Sequence, residues 1–208
     1  MKILSLELSS GQGSIAWLED DHEPFYRAFA NDRKHSGLFF ENLRHCSREF
    51  GAPDAIVVGL GPGSYAGVRI AIATAVGLRA ASATKLFGIP SICAIDPAER
   101  KYCVVGDARR QSFFFASVEN GRLTEGPSLF HAAELERKIL AAGVAVYTSA
   151  PLPQFPQVQT RFPSARRLVE LARDQTAEIP NSLSLEPIYL REPHITVPKM
   201  MRIPAINK

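Results

Sequence analysis

The sequence has few cysteines, one tryptophan and no long apolar run among its 208 residues. The three cysteines, Cys46, Cys93 and Cys103, are an odd number at wide spacings, which does not fit a disulfide framework. Each has apolar neighbours, so we expect buried, reduced thiols. No stretch approaches the ~20 apolar residues that cross a bilayer, and no apolar signal region follows Met1. The sequence therefore predicts a cytoplasmic protein that does not associate with membranes.

Motifs for metal binding and nucleophilic catalysis are also missing. The five histidines have no Cys or His partner at ligand spacing, and His35 and His45 lie ten residues apart on one predicted helix, too far to share a metal. Ser64 is offset by one residue from the nucleophile elbow G-x-S-x-G and is better interpreted as a helix N-cap. We therefore predict no protein-bound metal, no catalytic residue and no peptidase activity.

The charged residues are ordinary in number and evenly distributed. They make up 22% of the chain and give a net charge of +3, spread along the sequence rather than gathered into one basic run. With 46% hydrophobic residues the composition is that of a globular protein with a core. Any contact with nucleic acid is expected to be indirect.

Hydrophobic periodicity predicts an antiparallel meander followed by parallel crossover units in the first half of the chain. The order is three strands, helix, strand, helix, strand, which is typical of an α/β fold. The predicted strands are residues 3–8, 14–18, 25–29, 55–60 and 86–89, and the predicted helices are residues 35–50 and 65–83.

The second half resembles a shortened copy of the first. Strands are predicted at residues 102–105, 112–118 and 145–148, and helices at residues 132–142 and 164–173. A proline-rich connector at residues 151–156 interrupts it. We therefore predict a first lobe at residues 1–100, a smaller second lobe at 101–191 and a flexible tail at 192–208.

A glycine-rich segment from Gly59 to Arg69, between a predicted strand and a predicted helix, has three interpretations. One is phosphate binding, although the Gly-Lys-Ser/Thr of a P-loop is absent. Another is dinucleotide binding through Gly61, Gly63 and Ala66, although the next strand does not end in a ribose-binding acid. The third is close packing of the helix, whose surface is largely made of small residues: Gly67, Ala71, Ala73, Ala75, Gly77, Ala80 and Ala81. Such a helix is buried either inside its own domain or against another subunit, and the residues alone leave both open.

The segment G-P-G-S-Y-A-G-V-R at residues 61–69 resembles the signature of the TsaB (YeaZ) family, proteins of tRNA threonylcarbamoyladenosine biosynthesis. Further matches follow the same order along nearly the whole chain, at residues 6–10, 35–36, 106–110 and 187–191. Two positions depart from the family pattern: Ala66 stands where Thr is usual, and Glu7 where Asp is usual.

The resemblance implies an actin-like, ribonuclease H-like fold of two α/β lobes, with mixed sheets flanked by helices and a reduced second lobe. It also implies a non-catalytic subunit that binds a TsaD-like catalytic subunit, with a TsaE-like ATPase joining, and that supports threonylcarbamoylation of adenosine 37 in tRNAs. In isolation the chain is expected to form a homodimer. The first-lobe helices would supply the partner or dimer interface: His35, Leu38, Phe39, Tyr65, Val68, Arg69, Ala71, Ile72 and Ala75.

Nucleotide binding is expected to be weak or confined to the interface of a complex, with no tightly bound cofactor. Glu7 and the turn at Asp107 to Arg109, which lacks the phosphate-approaching glycine of nucleotide-hydrolysing relatives, both argue against autonomous ATP hydrolysis. The alternative is a small ATP-dependent kinase of the same superfamily. In that kinase the nucleotide would lie between the lobes and contact Ser9, Ser10, Gly11 and Gly106. Asp107 and Arg109 are further candidates for a nucleotide contact, although they fit a structural turn equally well.

Overall fold

The first half of the chain folds into a five-stranded mixed sheet. A computed structural model describes residues 1–20, 23–31, 36–82, 84–96, 99–175 and 185–191. The elements of the first half are β1 (Lys2–Glu7), β2 (Gln12–Glu19), β3 (Phe25–Ala30), α1 (Ser36–Phe50), β4 (Ala55–Gly59), α2 (Tyr65–Ala80) and β5 (Lys85–Ile89), followed by a short 3-10 turn at Ser91–Ala94.

The strand order is β3-β2-β1-β4-β5. The pairs β1–β2 and β2–β3 are antiparallel, whereas β1–β4 and β4–β5 are parallel. This confirms the predicted meander followed by crossover units. The helix predicted from residue 65 ends at Ala80, three residues early, and His35 lies outside the described residues.

The second half repeats the same strand order but has no helix between its fourth and fifth strands. Its elements are β6 (Lys101–Asp107), β7 (Ser112–Glu119), β8 (Arg122–His131), α3 (Ala132–Ala141), β9 (Val146–Thr148), β10 (Gln159–Thr160) and α4 (Ala165–Gln175). The order β10-β9-β6-β7-β8 matches the first sheet position by position. Where the first half has α2, between its fourth and fifth strands, the second half has the proline-rich connector.

Strands β8 and β10 were not predicted from the sequence. Strand β8 lies at the edge of its sheet and is mostly exposed, so its ten residues show no alternation of apolar and polar side chains. Gly126-Pro127, in its middle, is a further signal against a strand. Strand β10 has only two residues, both exposed.

The elements stack in five layers. Helices α1 and α2 cover one face of the first sheet, and α4 covers the other face and also contacts the second sheet. Helix α3 covers the far face of the second sheet. The alternation along β6 shows how one strand serves two layers, because Tyr102 and Val104 face α4 whereas Cys103 and Val105 face α3.

Two parts of the predicted second lobe lie against the first lobe. Helix α4 contacts β1, β2 and β4, and Leu185 belongs to the core under α1 and α2. The hydrophobic period of α4 predicts a helix but not the sheet against which it packs. The boundary at residue 100 stays a prediction, and the predicted tail at 192–208 lies outside the described residues.

Candidate functional site

The carboxyl ends of the parallel strands β1, β4 and β5 bring three turns to one edge of the first sheet. The turn after β1 is bonded to the glycine-rich turn after β4, because Ser64 N–H donates to Ser9 O at 2.6 Å. The glycine-rich turn is bonded in turn to the segment after β5: Ser91 N–H donates to Gly61 O at 2.8 Å, and Gly61 N–H donates to Ser91 Oγ at 2.9 Å. This edge is where open α/β sheets bind ligands, so it is the candidate functional site.

The glycines of this site are required by close contact with the protein's own first turn. A Cβ added at Gly63 would overlap Ser9 O, one added at Gly67 would overlap Leu8 O, and one added at Gly59 would overlap the Glu7 carboxylate. The space beside Gly63 and Gly67 is therefore filled by carbonyl oxygens, which repel a phosphate. Of the three interpretations of the segment, close packing is the one that the geometry supports.

Ser64 begins α2 as an N-cap. Its Oγ accepts a hydrogen bond from Gly67 N–H at 3.2 Å, which satisfies one of the free N–H groups of the first helical turn. The prediction that Ser64 is a helix N-cap is confirmed by this bond.

Glu7 is a fully buried carboxyl beneath these turns. Its Oε1 accepts from Ser9 N–H at 2.6 Å, and its Oε2 has no hydrogen-bond partner among the described residues. Burial raises the pKa of the carboxyl, and the neighbouring Ser9 and Ser91 groups oppose that rise in part. A carboxyl enclosed in this way has no open side at which a metal or a phosphate-bound cation could approach it.

The remaining polar groups of the first turn are directed at the turn itself. Ser9 and Ser10 are buried, Ser10 Oγ donates to Gln12 O at 2.8 Å, and Gly11 is exposed. Asn31, just after β3, donates through Nδ2 to Leu8 O at 2.9 Å and to Ser10 O at 2.7 Å. The sequence did not predict Asn31 as a residue of this site. The one feature that could have indicated it is its position directly after a strand, where side-chain amides often bond turn carbonyls.

In the second lobe, Asp107 and Arg109 form a local turn structure. Arg109 N–H donates to Asp107 Oδ1 at 2.7 Å, and Arg109 Nη1 lies 3.4 Å from Asp107 Oδ2. Arg109, Arg110 and Gln111 have φ values of 65°, 53° and 58°, so three consecutive side-chain-bearing residues adopt left-handed backbone. These contacts give the pair a structural role, and its nucleotide contact stays a prediction.

The structure divides the residues predicted for the partner interface into two groups. Phe39, Val68, Ala71 and Ala75 are buried, so their assignment to a surface is wrong. Phe39, Ala71 and Ala75 belong to the core between the helices and the first sheet. The physical reason is that an alanine-rich helix lets the sheet approach its inner face as readily as a partner approaches its outer face. Leu38 and Ile72 are half-buried, and Tyr65 and Arg69 are exposed.

The outer face of α2 is small and apolar. Its exposed positions follow the helical period and carry one charge, that of Arg69: Tyr65, Ala66, Arg69, Ala73, Val76, Gly77 and Ala80. Tyr65 and Val76 are 56% and 38% exposed, and Phe40 on neighbouring α1 is 51% exposed. We call the exposed residues of α2 the α2 outer face.

Tyr65, Arg69 and Tyr189 form a cluster at the start of this face. The Arg69 guanidinium lies 3.9 Å from the centre of the Tyr65 ring, and Arg69 Nε donates to Tyr189 Oη at 2.7 Å. Residues 185–191 are held in place there, since Ile188 N–H donates to Leu60 O at 2.8 Å and Arg191 Nε donates to Ala108 O at 3.2 Å. The family resemblance at residues 187–191 indicated this segment, but it did not predict that the segment contacts both lobes.

Among the residues that the structure describes, no group of three or more His, Cys, Asp and Glu side chains is placed to hold a metal ion. In the same residues no helix is long and apolar enough to cross a membrane.

The duplicated sheets, the layer order and the paired turns define an actin-like α/β protein. The fold is similar to that of a crystal structure from Pseudomonas aeruginosa of a protein with similarity to the peptidase YeaZ, with a TM-score of 0.74, 24% identity and coverage of 91% of this chain and 99% of that chain. A second structure, YeaZ from Pseudomonas aeruginosa, gives a TM-score of 0.69 at 21% identity over the same shares of the two chains. The predicted fold is thereby confirmed.

The family model of TsaD, tRNA N6-adenosine threonylcarbamoyltransferase, matches residues 33–172, and the chain belongs to this family. Uncharacterized proteins of Mycobacterium tuberculosis and Mycobacterium bovis are 33% identical over 141 residues, which are 67% of this chain. The match spans 65% of the length of these relatives.

Proposed function

We propose that this chain is a non-catalytic subunit required for threonylcarbamoylation of adenosine 37 in tRNAs that read codons beginning with adenine. It acts by binding a TsaD-like catalytic subunit and supporting its reaction. The observation that carries this proposal is the α2 outer face, a helix surface of small apolar residues with exposed Tyr65 and Val76. Small side chains allow a second backbone to approach closely, and exposed aromatic and Arg side chains are the usual anchors of protein interfaces.

The turns at the edge of the first sheet have their polar groups enclosed, which favours a non-catalytic role for this chain. Glu7 is enclosed, Ser9 and Ser10 are buried, and the glycine-rich turn faces carbonyl oxygens of the first turn. These groups stabilise the turns against each other. Nucleotide, if it binds, is proposed to do so weakly or at the interface of the complex, and no tightly bound cofactor is proposed.

Further partners follow from the same proposal. A TsaE-like ATPase joins the complex, contact with tRNA is made through the catalytic subunit, and the complex works in the cytoplasm. Without its partner the chain covers the α2 outer face by forming a homodimer, because an isologous contact lets one apolar patch bury its copy.

The test is reconstitution with the TsaD homologue of the same organism. Co-purification is measured first, and threonylcarbamoyladenosine formation in tRNA is then measured with and without this chain. The proposal predicts a stable complex and modification only when this chain is present. If the complex does not form and the chain alone turns over ATP, the kinase alternative replaces it.

A further inference from the structure

A second candidate site lies in the first lobe, where the end of α1 meets strands β2 and β3. It is a cavity of about 270 Å³, lined by Trp17, Glu19, Glu23, Phe25 and Phe50. Trp17 comes from β2, Phe25 begins β3 and Phe50 is the last residue of α1. None of these residues belongs to the turns at the sheet edge or to the α2 outer face.

Three aromatic rings form one continuous wall of the cavity. The rings of Trp17 and Phe50 are stacked, with centroids 5.3 Å apart and planes at 17°. The ring of Phe25 lies 5.3 Å from that of Phe50 at 57°. Trp17 is almost fully buried whereas Phe25 and Phe50 are half-buried, so the aromatic wall remains partly accessible. The faces of aromatic rings attract cations, and Trp does so most strongly.

Two carboxylates line the cavity beside the aromatic wall. The carboxylates of Glu19 and Glu23 line the cavity, and Phe50 brings the carboxyl-terminal end of α1, where the helix dipole is negative, to its side. The protein already places one cation here, since the Arg27 guanidinium lies 5.0 Å from the centre of the Phe25 ring. Aromatic faces, carboxylates and a helix carboxyl end all favour the same kind of occupant.

The two carboxylates keep acceptor capacity for a further cation. Glu19 Oε1 lies 3.4 Å from Lys2 Nζ, and Glu23 Oε1 lies 3.2 Å from Arg166 Nη2. The side chains of both pairs are 40% or more exposed, and such surface pairs contribute little and exchange readily in water. Each carboxylate can accept about four hydrogen bonds, so a bound ammonium can share or replace these partners.

We propose that this cavity binds an alkylammonium group, with the alkyl arm against the aromatic wall and the ammonium between Glu19 and Glu23. The ammonium can come from a free alkylamine or from a lysine side chain of another polypeptide, since both carry the same group on a short alkyl arm. The inference stands apart from the threonylcarbamoylation proposal, because it rests on residues that the proposed subunit contacts do not use.

The chain provides its own probe for the test. Trp17 is the single tryptophan in the sequence, so its fluorescence reports on the aromatic wall of this cavity and on the core against which its ring packs. The full chain is titrated with n-butylammonium chloride at constant ionic strength, with n-butanol as the neutral ligand of matched shape. We expect a saturable change with a Kd on the order of a millimolar for so small a ligand, and at least ~10-fold weaker binding of n-butanol.

Variants assign the effect to the cavity. The double substitution Glu19→Gln with Glu23→Gln is expected to weaken n-butylammonium binding by ~10-fold, and Phe25→Leu by several-fold through loss of a cation–π contact. Glu136→Gln, an exposed acid on α3, is the matched control and is expected to leave binding unchanged. Equal binding of n-butanol, a fluorescence change that does not saturate, or unchanged binding by the double variant would overturn the proposal. Titrations with putrescine and with Nα-acetyl-lysine N-methylamide, whose side-chain ammonium is free, then separate the two sources. The true source is the one that binds more tightly.

Discussion

The carbonyl oxygen of Leu8 occupies the place where Gly67 would carry a Cβ. One residue belongs to the turn after β1 and the other to the first turn of α2, so the helix and the turn touch through their backbones. This contact explains why the glycine-rich segment contains glycine at this point, and it makes the segment part of the core of the first lobe.

Substituting Gly67 by Ala is therefore expected to destabilise the protein. The added methyl group must displace the backbone of the first turn, and overpacking of this kind costs about 1–3 kcal/mol. The measurement is the free energy of unfolding from urea titration followed by circular dichroism.

Gly77→Ala in the same helix is the matched control. A Cβ at Gly77 meets nothing within 4 Å and the position is exposed, so this variant should gain about 0.5–1 kcal/mol from helix propensity. Equal stabilities of the two variants would show that the contact between Gly67 and Leu8 does not constrain the fold.

The enclosed carboxyl of Glu7 makes stability depend on pH. Burial raises its pKa in the folded state, so the folded protein retains the proton to a higher pH than the unfolded chain does. Its contribution is most favourable below the unfolded pKa of the carboxyl and declines as the pH rises from there towards the raised folded pKa. Glu7→Gln cannot ionise and should remove this decline.

The expected result is a higher Tm for Glu7→Gln than for the wild type at pH 8, with a difference that shrinks as the pH falls below 5. A gain of ~1 kcal/mol corresponds to about 2–4 °C in a protein of this size. Glu41→Gln, an exposed acid on α1, serves as the control and should change little. A difference in Tm between Glu7→Gln and the wild type that is the same at pH 4 and pH 8 would contradict a raised pKa.

The three cysteines are expected to be inert in the native protein. All are free and buried, and burial raises the pKa of Cys46 to about 11 and of Cys93 to about 12; the pKa of Cys103 is raised as well. Because the thiolate is the reactive form, Ellman's reagent at pH 8 should react with none of them until denaturant is added, when all three react. A thiol that reacts in the native protein as fast as free cysteine would show that its burial is transient.

The sequence predicts the elements of the first lobe well because their signals are local. The apolar run of β4 at Ala55–Gly59 is recognised from a few neighbouring residues, as is the Ser64 cap. Apolar residues recur at helical spacing in α1, at Leu38, Phe39, Leu43, Cys46 and Phe50. They predict a helix over residues 35–50, one residue longer than the described Ser36–Phe50.

What the sequence does not reveal is which face of an element meets which neighbour. Ala71 and Ala73 are chemically the same, yet one is buried against the sheet and the other lies on the α2 outer face. Tyr189 is 120 residues from Arg69 in the chain, so no local pattern indicates their hydrogen bond. The edge strand β8 is missed for a related reason, because it is held by its partner β7 rather than by its own apolar pattern.

The most direct test of the proposed function compares two arginine substitutions at exposed positions. Ala73→Arg places a charge in the middle of the α2 outer face, and Leu140→Arg places one on α3 of the second lobe, where Leu140 is 72% exposed. Both variants should keep the Tm of the wild type. Ala73→Arg is expected to lose co-purification with the TsaD homologue and threonylcarbamoyladenosine formation, and Leu140→Arg to retain both. Undiminished binding and modification by a folded Ala73→Arg protein would contradict the account of α2 as the partner surface.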